Sequence, residues 1–157
     1  MTGFEPLMLS KNWERSTERD WAKVLAKLPL FSRLGKRQLR KLARQAEFRE
    51  FAPGETVIAT GAPGDSFYVV LGGEATVRGK PGARTLGTGD YFGEIALLDG
   101  KPRSATVIAS DELHVMRVPR QTFLDLVERD AGVAHTILTE LGARVRRTET
   151  VASSAVN

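Results

Sequence analysis

The chain has 157 residues, room for one domain with a real core, and its 41% hydrophobic and 27% charged residues are ordinary for a globular protein. It has no cysteine, which excludes disulfides and thiolate metal sites, and only His114 and His135 as imidazoles, too far apart in sequence to suggest a metal site. The net charge of +4 is uneven: residues 1–50 carry 12 basic and 6 acidic side chains, residues 51–130 carry 8 and 11, and residues 131–157 carry 3 and 2.

In chain order, Met1–Lys11 lacks the basic start and apolar stretch of a secretory signal. No apolar run approaches the ~20 residues that a membrane-spanning helix needs. The expectation is a cytoplasmic domain without a membrane segment. Residues 13–28 read as a helix, with Trp13, Trp21, Val24, Leu25 and Leu28 on one face and Pro29 ending it. The tryptophans are expected to be packing anchors. Lys36–Glu47 reads as a second helix, with Leu39, Leu42, Ala43 and Ala46 inward. Its cations Lys36, Arg37, Arg40, Lys41 and Arg44 read as a solvated face. No aromatic residue interleaves with them and no recognition helix follows, so nucleic acid is not an expected partner.

From Phe51 to about Pro119, glycine and proline recur every few residues. Between them stand short runs of strand formers: Thr56–Ile58, Phe67–Leu71, Ala75–Val77, Ala105–Ala109 and Leu113–Val118. This pattern predicts a small antiparallel β-barrel or jelly roll. Gln121–Arg129 and Ala131 to about Arg147 are helical again, and the tail from Thr148 is small and polar. The expected fold is α+β: a β-roll over about 51–119 within a domain spanning 29–147. An N-terminal extension and helix (1–28) precede it, C-terminal helices (120–147) close it, and a flexible tail (148–157) follows.

The chemistry concentrates in Phe92-Gly93-Glu94-Ile95-Ala96-Leu97-Leu98-Asp99-Gly100-Lys101-Pro102-Arg103-Ser104-Ala105-Thr106. Glu94–Leu98 are helix formers in a run too short for an ordinary helix, closed by Gly100 and Pro102. That describes one helical turn inside a loop between two strands. The first turn of a helix presents unpaired amide hydrogens to an anion, and glycine at its start admits close approach. Arg103 supplies a planar, permanent cation suited to phosphate. The Glu94 carboxylate only accepts hydrogen bonds, which suits a ribose hydroxyl. A ligand that fits both is a nucleotide with phosphate and ribose held close together. The plainer alternative is a structural ion pair between Glu94 and Arg103.

This segment resembles the phosphate-binding cassette of the cyclic nucleotide-binding domain family, F-G-E-hydrophobic-A-L followed by P-R-x-A-T. The similarity extends through Pro53-Gly54-Glu55, Gly61-Ala62-Pro63-Gly64-Asp65, Phe67–Val70, Gly73–Val77 and Gly89-Asp90, covering about Leu28 to Arg147. The resemblance implies that Glu94 accepts from the ribose 2′-hydroxyl and that Arg103 binds the exocyclic phosphate oxygens. It implies a cradle of backbone amides at Gly93, Ile95 or Ala96 and near Ser104–Ala105, with the Ser104 hydroxyl as a further contact. The base would lie against Val70, under a lid from the last helix, where Arg144, Leu141, Val145 and Arg147 are candidates. It implies cAMP as ligand, with cGMP bound more weakly, because Ser104 stands between the threonine associated with cGMP and the alanine common where cAMP is preferred.

Ser104 read alone could equally bond backbone at a strand start. Asp90 and Asp99 are turn residues. His114 is expected to face outward or to bond a neighbour. No P-loop, dinucleotide fingerprint, metal spacing or nucleophile elbow appears, so no enzyme, metal or cofactor is expected. The partners expected are the cyclic nucleotide and an unidentified effector protein. The rival expectation is a ligand-silent interaction domain of the same fold working through its basic N-terminal surface, or a piece of a larger regulator.

Overall fold

The computed structural model describes residues 18–28, 31–79, 83–93, 96, 100–139, 142–143 and 146. Two helices lead: α1 (Glu18–Ala26) and α2 (Lys36–Gln45). Eight strands follow: β1 (Glu47–Phe51), β2 (Thr56–Ile58), β3 (Ser66–Gly72), β4 (Ala75–Arg78), β5 (Arg84–Leu86), β6 (Tyr91–Phe92), β7 (Thr106–Ala109) and β8 (Leu113–Pro119). Helix α3 (Arg120–Arg129) and a helical segment over 131–139 follow, and the described residues 142–143 and 146 are helical as well.

The strands form two antiparallel four-stranded sheets, ordered β1-β8-β3-β6 and β2-β7-β4-β5. This is the jelly roll of the two expected forms; the sheets are separate ladders rather than one closed barrel. The roll begins at Glu47, ahead of the expected Phe51. The second helix correspondingly stops at Gln45 instead of reaching Glu47. Ala46 donates its amide to the Leu42 carbonyl at 3.0 Å, and Glu47–Phe51 then pairs with Leu113–Arg117 of β8. Ladder pairing overrides the helix propensity of Glu47 and Arg49. Strands β5 and β6 were also not expected. Arg84-Thr85-Leu86 and Tyr91-Phe92 are too short to show a period.

Strand β3 explains the two cores. Its residues Ser66–Leu71 are all buried, so both faces are covered. Phe67, Val69 and Leu71 face the helices, with Val24, Leu25 and Leu28 of the first helical region, Phe31, Leu39, Leu42, Phe123, Val133 and Ile137. Tyr68 and Val70 face the space between the sheets, with Ala75, Leu86, Phe92, Val107, Leu113 and Val115. Phe67 is the hub of the helix side: its ring centroid lies 5.1 Å from Phe123, 5.7 Å from Tyr91 and 6.1 Å from Phe31. Trp21 is a packing residue as expected, stacked on Phe48 at 6.0 Å; Trp13 lies outside the described residues. Phe48 stacks in turn on His114 at 5.8 Å, and the His114 nitrogens lie 3.5 Å from Glu50 and 3.6 Å from Glu112.

Candidate ligand site

The cassette runs between β6 and β7 and is tied to the loop preceding β3. Gly93 follows β6 with φ +92°, a conformation that favours glycine. A Cβ there would meet Arg103 Nη1 at 2.9 Å and the Ser66 carbonyl at 3.1 Å. Ala96 is helical and buried, and the Gly100 amide donates to its carbonyl at 3.1 Å. A Cβ on Gly64 would lie 2.5 Å from the Ala96 Cβ, so this glycine lets the loop touch the cassette at Ala96. Arg103 joins the same loop through its backbone: its amide donates to Ala62 and its carbonyl accepts from Gly61, both at 2.8 Å.

The Arg103 side chain is 3% exposed. Its Nη1 donates to the Gly93 carbonyl at 2.8 Å and its Nη2 to the Ser66 carbonyl at 2.6 Å. The Asp65 carboxylate lies 3.7 Å from Nη2. A buried guanidinium needs such acceptors, because an uncompensated cation would be costly to desolvate. The carbonyls fix the plane of the guanidinium, and Asp65 offsets its charge.

Asp65 extends the site. Its carboxylate accepts from Ser66 Oγ at 2.8 Å and lies 3.5 Å from Arg117 Nη2. Its carbonyl accepts the Arg120 amide at 2.9 Å, satisfying one of the first amides of α3. Partial burial pushes its carboxyl up, but the Ser66 hydrogen bond and the Arg117 and Arg103 charges outweigh this and hold it below its ordinary range. Arg117 also reaches Glu47 at 3.4 Å, and Glu47 lies 2.6 Å from Arg49. The hydrogen bond from Arg49 is the main reason the Glu47 carboxyl is lowered as well.

Of the residues that the sequence singles out, Arg103 bonds the Gly93 carbonyl, and Ala96 lies against Gly64, in the loop that also holds the Arg103 backbone. Ser104 is exposed at the entry to β7. Ala105 is half-buried, and a Cβ on Gly79 would lie 2.9 Å from its own Cβ. Val70 is wholly buried in the inter-sheet core, and its amide donates to the Asp90 carbonyl at 2.8 Å. Glu94, Ile95 and the lid candidates Arg144, Leu141, Val145 and Arg147 lie outside the described residues. Asp65, Ser66 and Arg117 were not anticipated as site residues. Asp65 stands far from Arg103 in sequence, and its signals are its place in the Gly61–Asp65 similarity and its position just before a continuous apolar strand. Among the described residues, no group of three or more His, Asp or Glu is placed to hold a metal ion.

The profile of the cyclic nucleotide-binding domain family matches residues 48–130, from β1 to the end of α3 and more than half of the chain. The chain belongs to the cyclic nucleotide-binding domain family. This domain is 34% identical over 140 residues to a cAMP-dependent protein kinase regulatory subunit of Mycosarcoma maydis, covering 83% of this chain and 26% of that protein. It spans about a quarter to a third of the length of the curated relatives it matches. Among solved structures, the catabolite activator protein of Thermus thermophilus matches with a TM-score of 0.70 and 28% identity, over 82% of this chain and 63% of that one. The regulatory domain of Toxoplasma gondii PKA, solved with cAMP, matches with a TM-score of 0.70 and 25% identity, over 81% of this chain and 50% of that one. The cyclic nucleotide-binding domain is thus a jelly roll with flanking helices in which the cassette arginine is locked to the loop before β3. No described helix is long and apolar enough to cross a membrane.

Proposed function

We propose that this domain is a non-catalytic, cytoplasmic sensor that binds cAMP, and cGMP more weakly, and reports occupancy through its C-terminal helices to an effector protein. The observation that carries this reading is the position of Arg103. A buried cation, oriented by the Gly93 and Ser66 carbonyls, closes an intact F-G-E-I-A-L to P-R-S-A-T segment. The cAMP named with the Toxoplasma structure supports the choice of ligand.

In this mechanism Arg103 takes the exocyclic phosphate oxygens, while amides at Gly93, Ile95 or Ala96 and around Ser104–Ala105 complete the cradle. Glu94 accepts from the ribose 2′-hydroxyl. Ser104 adds its hydroxyl, the base rests towards Val70, and Arg144 of the last helix is the lid. The phosphate competes with Gly93, Ser66 and Asp65 for the guanidinium. Any change at Asp65 is felt at the start of α3, because the same residue accepts the Arg120 amide. Ligand binding then shifts the population of C-terminal helix positions by its differential affinity for them.

The test is calorimetry and thermal unfolding of the wild type with cAMP and cGMP. At about 100 times the dissociation constant, cAMP should stabilise the fold by about 2.7 kcal/mol. No stabilisation by either nucleotide would leave the ligand-silent interaction domain in its place, and cGMP binding more tightly would reverse the ranking.

A further inference from the structure

Ser104 and Ala105 lead from Arg103 into β7, which lies between β2 and β4 in its sheet. On the β2 side this link is clamped by the loop that follows β2. The Gly61 amide donates to the Arg103 carbonyl and the Arg103 amide donates to the Ala62 carbonyl, both at 2.8 Å. Thr60 continues the clamp: its amide donates to Thr106 Oγ1 at 3.0 Å, and the two threonine hydroxyls lie 2.8 Å apart. Arg103 and Thr106 are thus both tied to residues 60–62, and Ser104 and Ala105 are carried between them.

On the β4 side, Val77 stands opposite Val107 and Arg78 opposite Thr106 in an antiparallel ladder. Gly79 and Ala105 are the next positions out along it. Directly opposed residues in such a ladder keep their Cβ atoms about 4.5–5.5 Å apart. A Cβ on Gly79 would lie 2.9 Å from the Ala105 Cβ, 3.5 Å from the Ala105 Cα and 3.6 Å from the Ser104 carbonyl oxygen. Beyond Arg78 the chains therefore converge more closely than an ordinary side-chain pair allows, and the missing Cβ at Gly79 permits it. Ala105 cannot retreat from β4 without straining the Arg103 and Thr106 hydrogen bonds on its other side. Gly87 offers the contrast, since a Cβ there would meet nothing within 4 Å.

We propose that Gly79 is a positioning residue for the phosphate half of the nucleotide site, acting through Ala105. By letting β4 close on the entry to β7, it sets where the Ser104 and Ala105 amides stand relative to the Arg103 guanidinium. This role rests on the reading that those amides complete the phosphate cradle. A side chain at Gly79 opens the slot towards ordinary cross-strand spacing and carries the two amides away by on the order of 1 Å. A displacement of that size takes an amide–oxygen hydrogen bond from about 2.9 Å to beyond about 3.5 Å, where it is lost.

The test is cAMP calorimetry on wild type, Gly79→Ala, Ala105→Gly and the double variant, with Gly87→Ala as the control, together with amide NMR spectra of the unliganded proteins. Gly79→Ala should bind cAMP about tenfold more weakly than wild type and should shift the Ser104 amide resonance before any ligand is added. In the Ala105→Gly background the same substitution should change affinity less than about twofold, because the clash is gone. Gly87→Ala should bind as wild type does. Four results would overturn the role: unchanged affinity in Gly79→Ala, even if its melting temperature falls; an unmoved Ser104 resonance; an equal loss in both backgrounds; or the same loss in Gly87→Ala. Each of these leaves the sensor reading standing as long as wild type binds cAMP. A wild type that binds no cAMP overturns the sensor reading itself, and this role with it.

Discussion

The Asp65 carboxylate lies 3.7 Å from the Arg103 guanidinium, while the Asp65 carbonyl accepts the first amide of α3. One residue thus joins the cassette cation to the helix that follows the roll. Arg117, on the other side of the same carboxylate, extends the link to Glu47 at the start of β1.

Acid should expose this link. Asp65 and Glu47 both have carboxyls held below their ordinary range in the folded protein. A depressed folded-state value means that the ionised form stabilises the fold. Its contribution is complete above the unfolded-state value of about 4 and is lost as pH falls through the folded-state value. Urea unfolding at neutral pH and near pH 3 should therefore show a larger loss for wild type than for Asp65→Asn. Parallel losses would mean that the carboxylate does not contribute. The effect is modest, since the Asp65 side chain is 68% exposed and water screens its pairs.

Two replacements of Arg103 together distinguish its part in ligand binding from its part in folding. Arg103→Ala should weaken cAMP binding by about 1.5–3 kcal/mol, roughly ten- to a hundredfold, by calorimetry. It also leaves the Ser66 and Gly93 carbonyls without this donor, so melting should fall too. Arg103→Lys keeps the charge but cannot reach two divergent carbonyls and a phosphate with one planar group. It should recover stability more than affinity.

Gly64 and Ala96 test whether the loop positions the cassette. Gly64→Ala places a Cβ 2.5 Å from the Ala96 Cβ, and one of the two segments must move. Overpacking of this kind costs about 1–3 kcal/mol, read as a lower melting temperature and weaker cAMP binding. Ala96→Gly in the same chain should recover much of both losses. Additive effects in the double variant would show that the two residues do not communicate.

Phe67→Ala should cost about 3–5 kcal/mol in chemical denaturation, because the ring is wholly buried against Phe31, Tyr91 and Phe123. A loss below 1 kcal/mol, on the scale of a surface substitution, would contradict its place as the hub of the helix-side core.

Local chemistry made much of the fold legible. Turn residues bracket Thr56–Ile58 and Ala75–Arg78, and the unbroken apolar run through Phe67–Leu71 announces a strand covered on both faces. Strand β1 was hidden because Glu47 and Arg49 are good helix formers and the alternation of Glu47-Phe48-Arg49-Glu50-Phe51 is only five residues long. Its pairing partner, β8, lies more than sixty residues away, and no local signal reports it.

The sequence by itself determined the roll, its flanking helices and the cassette with Arg103 inside it, because turn chemistry, strand patterning and the residue types that hold a phosphate act over a few neighbouring positions. Only the tertiary structure decided what holds Arg103. The Gly93 and Ser66 carbonyls, the Asp65 carboxylate and the close approach of Gly64 to Ala96 come from segments up to 38 residues apart. Their meeting depends on how two sheets stack and where β3 enters, and neither is encoded in the spacing along the chain.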